Sequence, residues 1–194
     1  MDSVTKEYYP FASILSVVNY YYFGGMIMKK NQNYWIKHLK LVPHPEGGYF
    51  KQVLKSEHYL NVTSEKVRPY YTSIYFLLTQ GNPSHFHRLA SDEVWYYHSG
   101  SALSIHLLHP NGQYEKIQLG TDIVKGEVLQ AVVPKNVIFG SSVEENGEFS
   151  LVSCMVSPGF DYQDFELFTK QQLHTLYPDH QDIIDQLAYD QLPE

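Results

Sequence analysis

The sequence predicts an all-β fold, either a sandwich or a barrel, and two observations favour it. Aromatic residues make up 15% of the 194 residues and include 17 tyrosines, which suits strands, where aromatic and β-branched side chains are enriched. Short apolar or alternating runs also recur at near-regular spacing, with turn signals and no helical period between them. These runs are YYTSIYFLL, EVWYYH, ALSIHLL, YEKIQL, EVLQAVV and EFSLVSCMV.

Short helices are expected only at the two ends of this β region. Trp35 and Leu39 suit a short helix that ends before Pro43, because proline lacks the N–H that a helix interior needs. An alternating strand, YFKQVLKS, follows a glycine turn. The tail reads as helical in TKQQLHTLYP and again in PDHQDIIDQLAYDQL, where Pro178 lies near the first turn and Leu187 belongs to an apolar stripe.

The length of the chain suits one well-buried domain. We assign residues 29–194 to that domain and residues 1–28 to an N-terminal extension of uncertain role. No residue between Glu7 and Lys29 is charged, but Pro10 and several polar residues interrupt the apolar run, so neither a membrane span nor a secretory signal is favoured. The sequence leaves open whether the extension is dispensable, an extra edge strand or a dimer arm.

Composition also limits the partners of the chain. The formal net charge is -7, with 14 lysines and arginines and no basic cluster, so the electrostatic footprint of a nucleic-acid-binding protein is missing. Cys154 is the one cysteine and lies in an apolar run, which is typical of a buried thiol. A single cysteine forms no internal disulfide, and this favours a reducing compartment such as the cytoplasm.

The segment SHFHRLASDEVWYYHSG carries the chemistry. Side chains alternate along a strand, so we expect His85 and His87 to point to the same side and to share one ligand. The turn RLASD reverses the chain, and a hairpin there would bring Glu93 opposite the two histidines. Two imidazoles and a carboxylate are a donor set for Zn, Mn, Ni or non-haem Fe. The alternative is that these residues only coat the wet face of a hairpin.

The same segment, extended to GNPSHFHRLASDEVWYYHSG, resembles the first motif of the cupin superfamily: a glycine, H-x-H, a glutamate and, after six intervening residues, a second glycine. GEVLQAVVPKNVIFG resembles the second cupin motif, with Asn136 for a glycine and Phe139 where the third metal histidine belongs. A phenyl group has no lone pair to donate, so metal affinity is expected to fall. His85, His87 and Glu93 remain as metal ligands, and the sequence leaves open whether a divalent metal binds.

Five ordered segments resemble a narrower family, the cupin-5 family long labelled a domain of unknown function. They are LVPHPEGGYFKQV, SIYFLL, SHFHRLASDEVWYYHSG, VVPKNVIFG and LVSCMVSPGFDYQDFEL. The resemblance implies a double-stranded β-helix, also called a jelly roll or cupin barrel, that is usually a homodimer. It also implies structural likeness to nucleotide-sugar epimerases, and it implies no established reaction.

Three functions stay open for the expected pocket. Without a metal, a histidine near neutral pKa would remove a proton beside the carbonyl of a sugar or nucleotide-sugar-like metabolite, with a glutamate or tyrosine as partner, as in an epimerase or isomerase. With a metal, the same residues would polarise that carbonyl. The third function is binding of a carbohydrate or other small molecule without reaction. The candidate catalytic residues are His87, Glu93, His85 and Tyr97, and the candidate ligand-binding residues are Glu46, Tyr75, Trp95 and Phe139.

Overall fold

A computed structural model of the protein describes residues 20–23 and 26–193, with side chains from residue 30 onward. The helices are Gln32–Leu39 (α1), Lys170–Leu176 (α2) and Gln181–Leu187 (α3). The strands are Tyr20–Phe23 (β1), Met26–Lys29 (β2), Val42–Pro43 (β3), Tyr49–Lys55 (β4), Tyr59–Asn61 (β5), Val67–Pro69 (β6), Thr72–Thr79 (β7), Ser84–Leu89 (β8), Asp92–Gly100 (β9), Leu103–Leu108 (β10), Tyr114–Leu119 (β11), Gln130–Val133 (β12), Ile138–Val143 (β13), Phe149–Ser157 (β14) and Phe165–Leu167 (β15).

Two antiparallel sheets form the body of the domain. One has six strands in the order β12-β9-β14-β7-β4-β3, and the other has five in the order β11-β10-β13-β8-β15. The chain changes sheet at each step from β7 to β10 and at each step from β11 to β15, so the two sheets are wound together. This arrangement confirms the predicted double-stranded β-helix with short helices at its N-terminal side and in its tail.

The core lies between the sheets and is built by strand alternation. Phe76, Trp95, Ile105, Phe139 and Val152 point inward from five different strands and are almost fully buried. Residues at alternate positions of the same strands point to the outer faces. Burial of these large side chains supplies the main driving force for folding at roughly 25 cal/mol per Å² of apolar surface.

The helices cover apolar positions on the outer faces of both sheets. Helix α1 places Trp35 and Leu39 against Leu77 and Leu151 of the six-stranded sheet. It ends at Lys40, a left-handed residue whose N–H donates to the carbonyls of residues 36 and 37. The predicted end of this helix before Pro43 is therefore confirmed.

The tail helices cover the five-stranded sheet in the same way. Leu173, Ile184 and Leu187 pack against Phe86 and Ile138. Thr169 caps α2 in a reciprocal capping box with Gln172, which satisfies two backbone donors at the start of the helix. Because helices partly cover the outer faces of both sheets, several strands carry apolar residues on both sides, and their sequences are continuous apolar runs.

Strand β13 was not among the strands that the sequence predicted. Its residues 140–142 are Gly-Ser-Ser, which have little strand preference. A Cβ atom on Gly140 would lie 2.9 Å from the carbonyl oxygen of Ser84 on the neighbouring strand β8. The glycine is therefore required by the close approach of β8, where the register with β13 also shifts.

The hairpin predicted between β8 and β9 is wrong. The residues between them, Ala90 and Ser91, carry the chain from the five-stranded to the six-stranded sheet. Strand β8 pairs with β13 and β15, and β9 pairs with β12 and β14. The turn is thus a corner of the barrel, and side chains from β8 and β9 approach each other across the interior.

The predicted extension, residues 1–28, lies mostly outside the described residues. Its described part is β1 and most of β2, which pair with each other in an antiparallel ladder. Within residues 20–23 and 26–193, no helix is long and apolar enough to cross a bilayer.

Replacing Ile184 with alanine tests the role of the tail helices. Ile184 is fully buried against the five-stranded sheet, so we expect Ile184→Ala to lower the free energy of unfolding by about 2–5 kcal/mol in urea titrations. Leu176→Ala is the matched control, because that side chain is 57% exposed, and it should change stability by less than about 0.5 kcal/mol. Equal effects of the two substitutions would contradict the packing described here.

Candidate functional site

A cavity of about 140 Å³ lies inside the barrel between the two sheets. Its walls are mainly apolar, with a small set of polar side chains. Gln52 and Tyr162 are the exposed members of the lining and mark where the cavity reaches the surface. The lining residues are His44, Glu46, Phe50, Gln52, Thr72, Ile74, Phe76, His87, Leu89, Glu93, Cys154, Val156, Phe160 and Tyr162.

Four ionisable side chains reach the cavity from three places in the chain. His87 comes from β8 and Glu93 from β9, each at an inward position of its strand. His44 and Glu46 come from the turn between β3 and β4. That turn needs glycine at residue 47, where φ is +107° and a Cβ would lie 2.0 Å from the carbonyl oxygen of residue 83.

Hydrogen bonds fix the proton positions on the two imidazoles. The Nδ1 of His87 lies 2.7 Å from the carbonyl oxygen of His85; a carbonyl only accepts, so Nδ1 carries the hydrogen and Nε2 has a lone pair. The backbone N–H of Glu46 donates to the Nδ1 of His44 at 3.3 Å, so this Nδ1 also has a lone pair. Each neutral imidazole therefore presents an acceptor nitrogen to its surroundings.

The two acceptor nitrogens face one oxygen of Glu46. The Oε2 atom lies 3.4 Å from the Nδ1 of His44 and 3.4 Å from the Nε2 of His87. Lone pairs directed at one carboxyl oxygen repel unless a proton lies between them, so this geometry favours a protonated Glu46. The other oxygen, Oε1, accepts a hydrogen bond of 2.9 Å from the hydroxyl of Ser84.

Burial shifts all four groups toward their uncharged forms. It raises the pKa of Glu46, against the opposing effects of His44 and Ser84. Burial raises the pKa of Glu93 to about 8, and the neighbouring carboxyl group of Glu46 adds to the shift because two carboxylates would repel each other. It lowers the pKa of His87 to about 4 and also lowers the pKa of His44. At neutral pH the cavity therefore holds a carboxylic acid at Glu93 and neutral imidazoles.

The acid and the imidazole come from opposite walls. Glu93 belongs to the six-stranded sheet and His87 to the five-stranded sheet, and sheets packed face to face lie about 10 Å apart. Trp95 donates its indole N–H to the Oε2 of Glu93 at 3.0 Å and so orients the carboxyl group. A ligand between the walls would meet a proton donor on one side and a proton acceptor on the other.

His85 does not line this cavity. Its Nδ1 lies 2.8 Å from the carbonyl oxygen of Glu46, and its ring stacks on Tyr189 with 3.7 Å between centroids. It lines an outer groove together with His106 and Lys116. The register shift between β8 and β13 interrupts the alternation, so the expectation that His85 and His87 share one ligand is wrong.

The predicted metal set of His85, His87 and Glu93 does not fit a metal ion. Among the described side chains, no group of three or more histidines, cysteines or acids is arranged to hold one. Phe139 is the Cα partner of His87, and its ring centroid lies 4.1 Å from that of the imidazole. A phenyl ring offers no donor there, and His85 lies on the other side of the strand.

The remaining predicted residues support the site from outside or lie elsewhere. Trp95 and Phe139 are buried in the core and contact the side chains of the site, not the cavity. Tyr97 donates its hydroxyl to the carbonyl oxygen of Gly100 at 2.6 Å, and burial raises its pKa to about 12. Tyr75 lies on the outer face of the sheet, beside α1. Of the predicted residues, only Glu46, His87 and Glu93 line the cavity.

Tyr162 lines the cavity, but the sequence did not identify it as a site residue. Asp164 accepts hydrogen bonds of 2.7 Å from Arg68 and 2.7 Å from Lys66. These ion pairs hold the turn that carries Tyr162 over the cavity, where its ring is parallel to that of His44 at 6.4 Å. No pattern within the segment PGFDYQDFEL identifies the cationic partners of Asp164, because Lys66 and Arg68 lie far away in the sequence.

Comparisons with known proteins identify the family and support the fold. Residues 33–168 match the model of a family described as "Cupin superfamily (DUF985)". An uncharacterized protein of Saccharomyces cerevisiae is 34% identical over 139 residues, 64% of this chain and 69% of its own. A hypothetical protein from Leishmania major has 46% identity and a TM-score of 0.79, covering 82% of this chain and 99% of its own. A Shewanella oneidensis protein has 44% identity and a TM-score of 0.77, covering 83% and 99%.

Replacing Glu93 with glutamine tests its protonation state. Because the folded pKa of about 8 exceeds the unfolded value, the fold favours the protonated carboxyl. This contribution to stability is complete below about pH 4.5 and is lost as the pH rises toward about 8. Glutamine does not ionise, so Glu93→Gln should not show this loss. From about pH 5 to about pH 8, the free energy of unfolding of the variant should therefore rise relative to that of the parent by an amount on the order of a few kcal/mol.

The measurement is the free energy of unfolding in urea at both pH values. The exposed Glu65→Gln substitution is the control and should follow the parent. If Glu93→Gln also follows the parent, Glu93 is ionised in the folded protein at neutral pH.

Proposed function

The chain belongs to the cupin superfamily (DUF985) family, and from that premise we propose that its cavity binds a sugar or nucleotide-sugar-like metabolite and transfers a proton on it. The chemistry is that of an epimerase or isomerase. One observation carries the proposal: a carboxylic acid, Glu93, and a neutral imidazole, His87, face one small cavity from opposite sheets. Proton transfer next to a carbonyl needs such a pair.

The first step removes a proton from carbon. While the Oε2 proton of Glu46 lies toward the Nδ1 of His44, the lone pair on the Nε2 of His87 is left to accept the proton from the carbon next to the carbonyl. At the same time Glu93 donates its proton to the carbonyl oxygen, so the C–H bond breaks and an enediol forms. The substrate stays uncharged, because it loses one proton and gains another, and this suits a cavity from which water is largely excluded.

The second step restores the enzyme. The Glu93 carboxylate takes a hydroxyl proton from the enediol, and the His87 imidazolium returns a proton to carbon. If the proton returns to the neighbouring carbon, an aldose and a ketose interconvert. Inversion at the same carbon needs delivery to the other face of the enediol, which lies toward the opposite wall.

Glu46 stabilises the charge that develops on His87. Its Oε2 lies 3.4 Å from the Nε2 of His87 and equally far from the Nδ1 of His44. When His87 takes a proton, its Nε2–H can donate to this oxygen while the proton of Glu46 lies toward His44. The hydrogen bond offsets part of the low basicity that burial imposes on His87. Glu46 is thus a positioning residue.

Binding without reaction is the second candidate function. The rings of Phe50, Phe76, Phe160 and Tyr162 line the cavity and provide faces on which a carbohydrate ring can pack. In that case Glu93 and His87 would only donate and accept hydrogen bonds. The homodimer and the cytoplasmic location stay predictions under either function.

Hydrogen exchange separates the two functions. We expect the protein to exchange the carbon-bound proton of small hydroxycarbonyl compounds with deuterated solvent, as followed by proton NMR. His87→Gln and Glu93→Gln should each slow this exchange by about 100-fold or more, because each removes one partner of the proton transfer. His98→Gln is the control, since His98 is exposed and points away from the cavity.

A contrary result is equally definite. If a compound raises the melting temperature of the parent and of Glu93→Gln alike while its proton never exchanges, the cavity binds and does not react.

A further inference from the structure

The charge of the cavity lining restricts what the cavity can enclose. Among the side chains of residues 30–193, no lysine or arginine lines it. The cations on the nearby β6 side are engaged elsewhere, because Arg68 and Lys66 both bind Asp164. The two acids of the lining, Glu46 and Glu93, cannot compensate a negative ligand. A phosphate or carboxylate inside would therefore be desolvated without a partner, which is costly.

The size of the cavity sets a second limit. A volume of about 140 Å³ is below the roughly 300–1,000 Å³ of sites that hold drug-sized ligands. It is close to the cavity of about 150 Å³ that holds benzene in an engineered protein. The enclosed molecule therefore has about six non-hydrogen atoms, the number in an unphosphorylated three-carbon sugar.

The few polar side chains of the cavity correspond in number to the few polar groups of a three-carbon sugar. Glu93 can donate to a carbonyl oxygen, and His87 accepts through Nε2. The Gln52 side chain at the mouth can donate to and accept from a terminal hydroxyl. The rest of the lining is largely aromatic or aliphatic, as in Phe50 and Ile74, and suits the carbon skeleton. Few hydroxyl groups can be satisfied, so a longer polyol would leave buried groups without partners.

We infer that the substrate is an uncharged hydroxycarbonyl compound of about six non-hydrogen atoms, and that phosphorylated or carboxylated counterparts are excluded. The inference rests on the proposed function and narrows its substrate class to small unphosphorylated sugars, so that nucleotide sugars are excluded. It predicts selection by charge, since the anionic group of a phosphorylated or carboxylated molecule would lie inside the cavity or at its mouth, and no lysine or arginine lines either place among the described residues.

The test compares compounds that differ in charge. Dihydroxyacetone and glyceraldehyde are the neutral probes, dihydroxyacetone phosphate and glycerate are the anions, and aminoacetone is the cation. Binding is measured by calorimetry and thermal shift, and exchange of the carbon-bound proton is measured in deuterated water. We expect the neutral probes to bind at least about 100-fold more tightly than either anion, a factor that corresponds to about 2.7 kcal/mol.

A charge substitution at the mouth sharpens the comparison. Gln52→Arg adds a cation beside the cavity, and we expect it to improve the affinity for dihydroxyacetone phosphate by about tenfold or more. Gln52→Met, of similar length and without charge, should not. This pair of variants separates an electrostatic cause from a steric one, because both side chains occupy similar space.

The outcomes distinguish the two proposals. Binding of the neutral probes without exchange overturns the proposed proton transfer and supports the ligand class. If the carbon-bound protons of dihydroxyacetone phosphate exchange as fast as those of dihydroxyacetone, proton transfer is supported and the selection by charge is overturned. Tighter binding of aminoacetone than of the neutral probes, or binding of neither neutral probe at about 10 mM, also overturns the inferred class.

Discussion

The cost of burying charge governs the cavity of this protein. Glu46, His87 and Glu93 are each at least nine-tenths buried, and no lysine or arginine in the described part of the chain lines the space between them. Ionised carboxylates there would lose their hydration and repel each other. The chain avoids this cost by keeping protons on its acids and lone pairs on its imidazoles. The protonation states of the site residues, the apolar lining and the proposed reaction are all consistent with the need to avoid buried charge.

The fold meets the requirement by placing each group on a separate support. The corner at Ala90 and Ser91 sends β8 and β9 into different sheets, so His87 and Glu93 face each other with space between them. Glu46 enters from a third direction on the turn before β4. Its carbonyl oxygen also accepts the backbone N–H of His85 at 2.7 Å, which ties the turn to β8. The acid that faces two imidazoles is therefore held by the backbone as well as by its side chain.

The sequence predicted the strands better than their partners. Alternation and turn residues are local, so β4, β11 and the tail helices could be located from the sequence alone. Pairing is not local, and the chain between Leu89 and Asp92 is short enough for a hairpin or a corner. The position of His85 depended on a register shift opposite Gly140, which no pattern within β8 reveals. Tyr75 was misjudged for a related reason, because both faces of β7 are covered and an apolar run does not tell which face is inward.

Phe139 explains why His87, although it belongs to an H-x-H sequence typical of metal sites, lies in a cavity suited to proton transfer. In place of a donor nitrogen it sets a phenyl ring 4.1 Å from the imidazole of His87, and Phe165 adds a second ring at 5.3 Å. Apolar rings around an imidazole exclude water and disfavour its charged form. The residue that removes a metal ligand therefore also contributes to the burial that keeps His87 neutral. A neutral imidazole with a fixed lone pair can accept a proton from carbon. The substitution that removes a metal ligand therefore also favours proton transfer at His87.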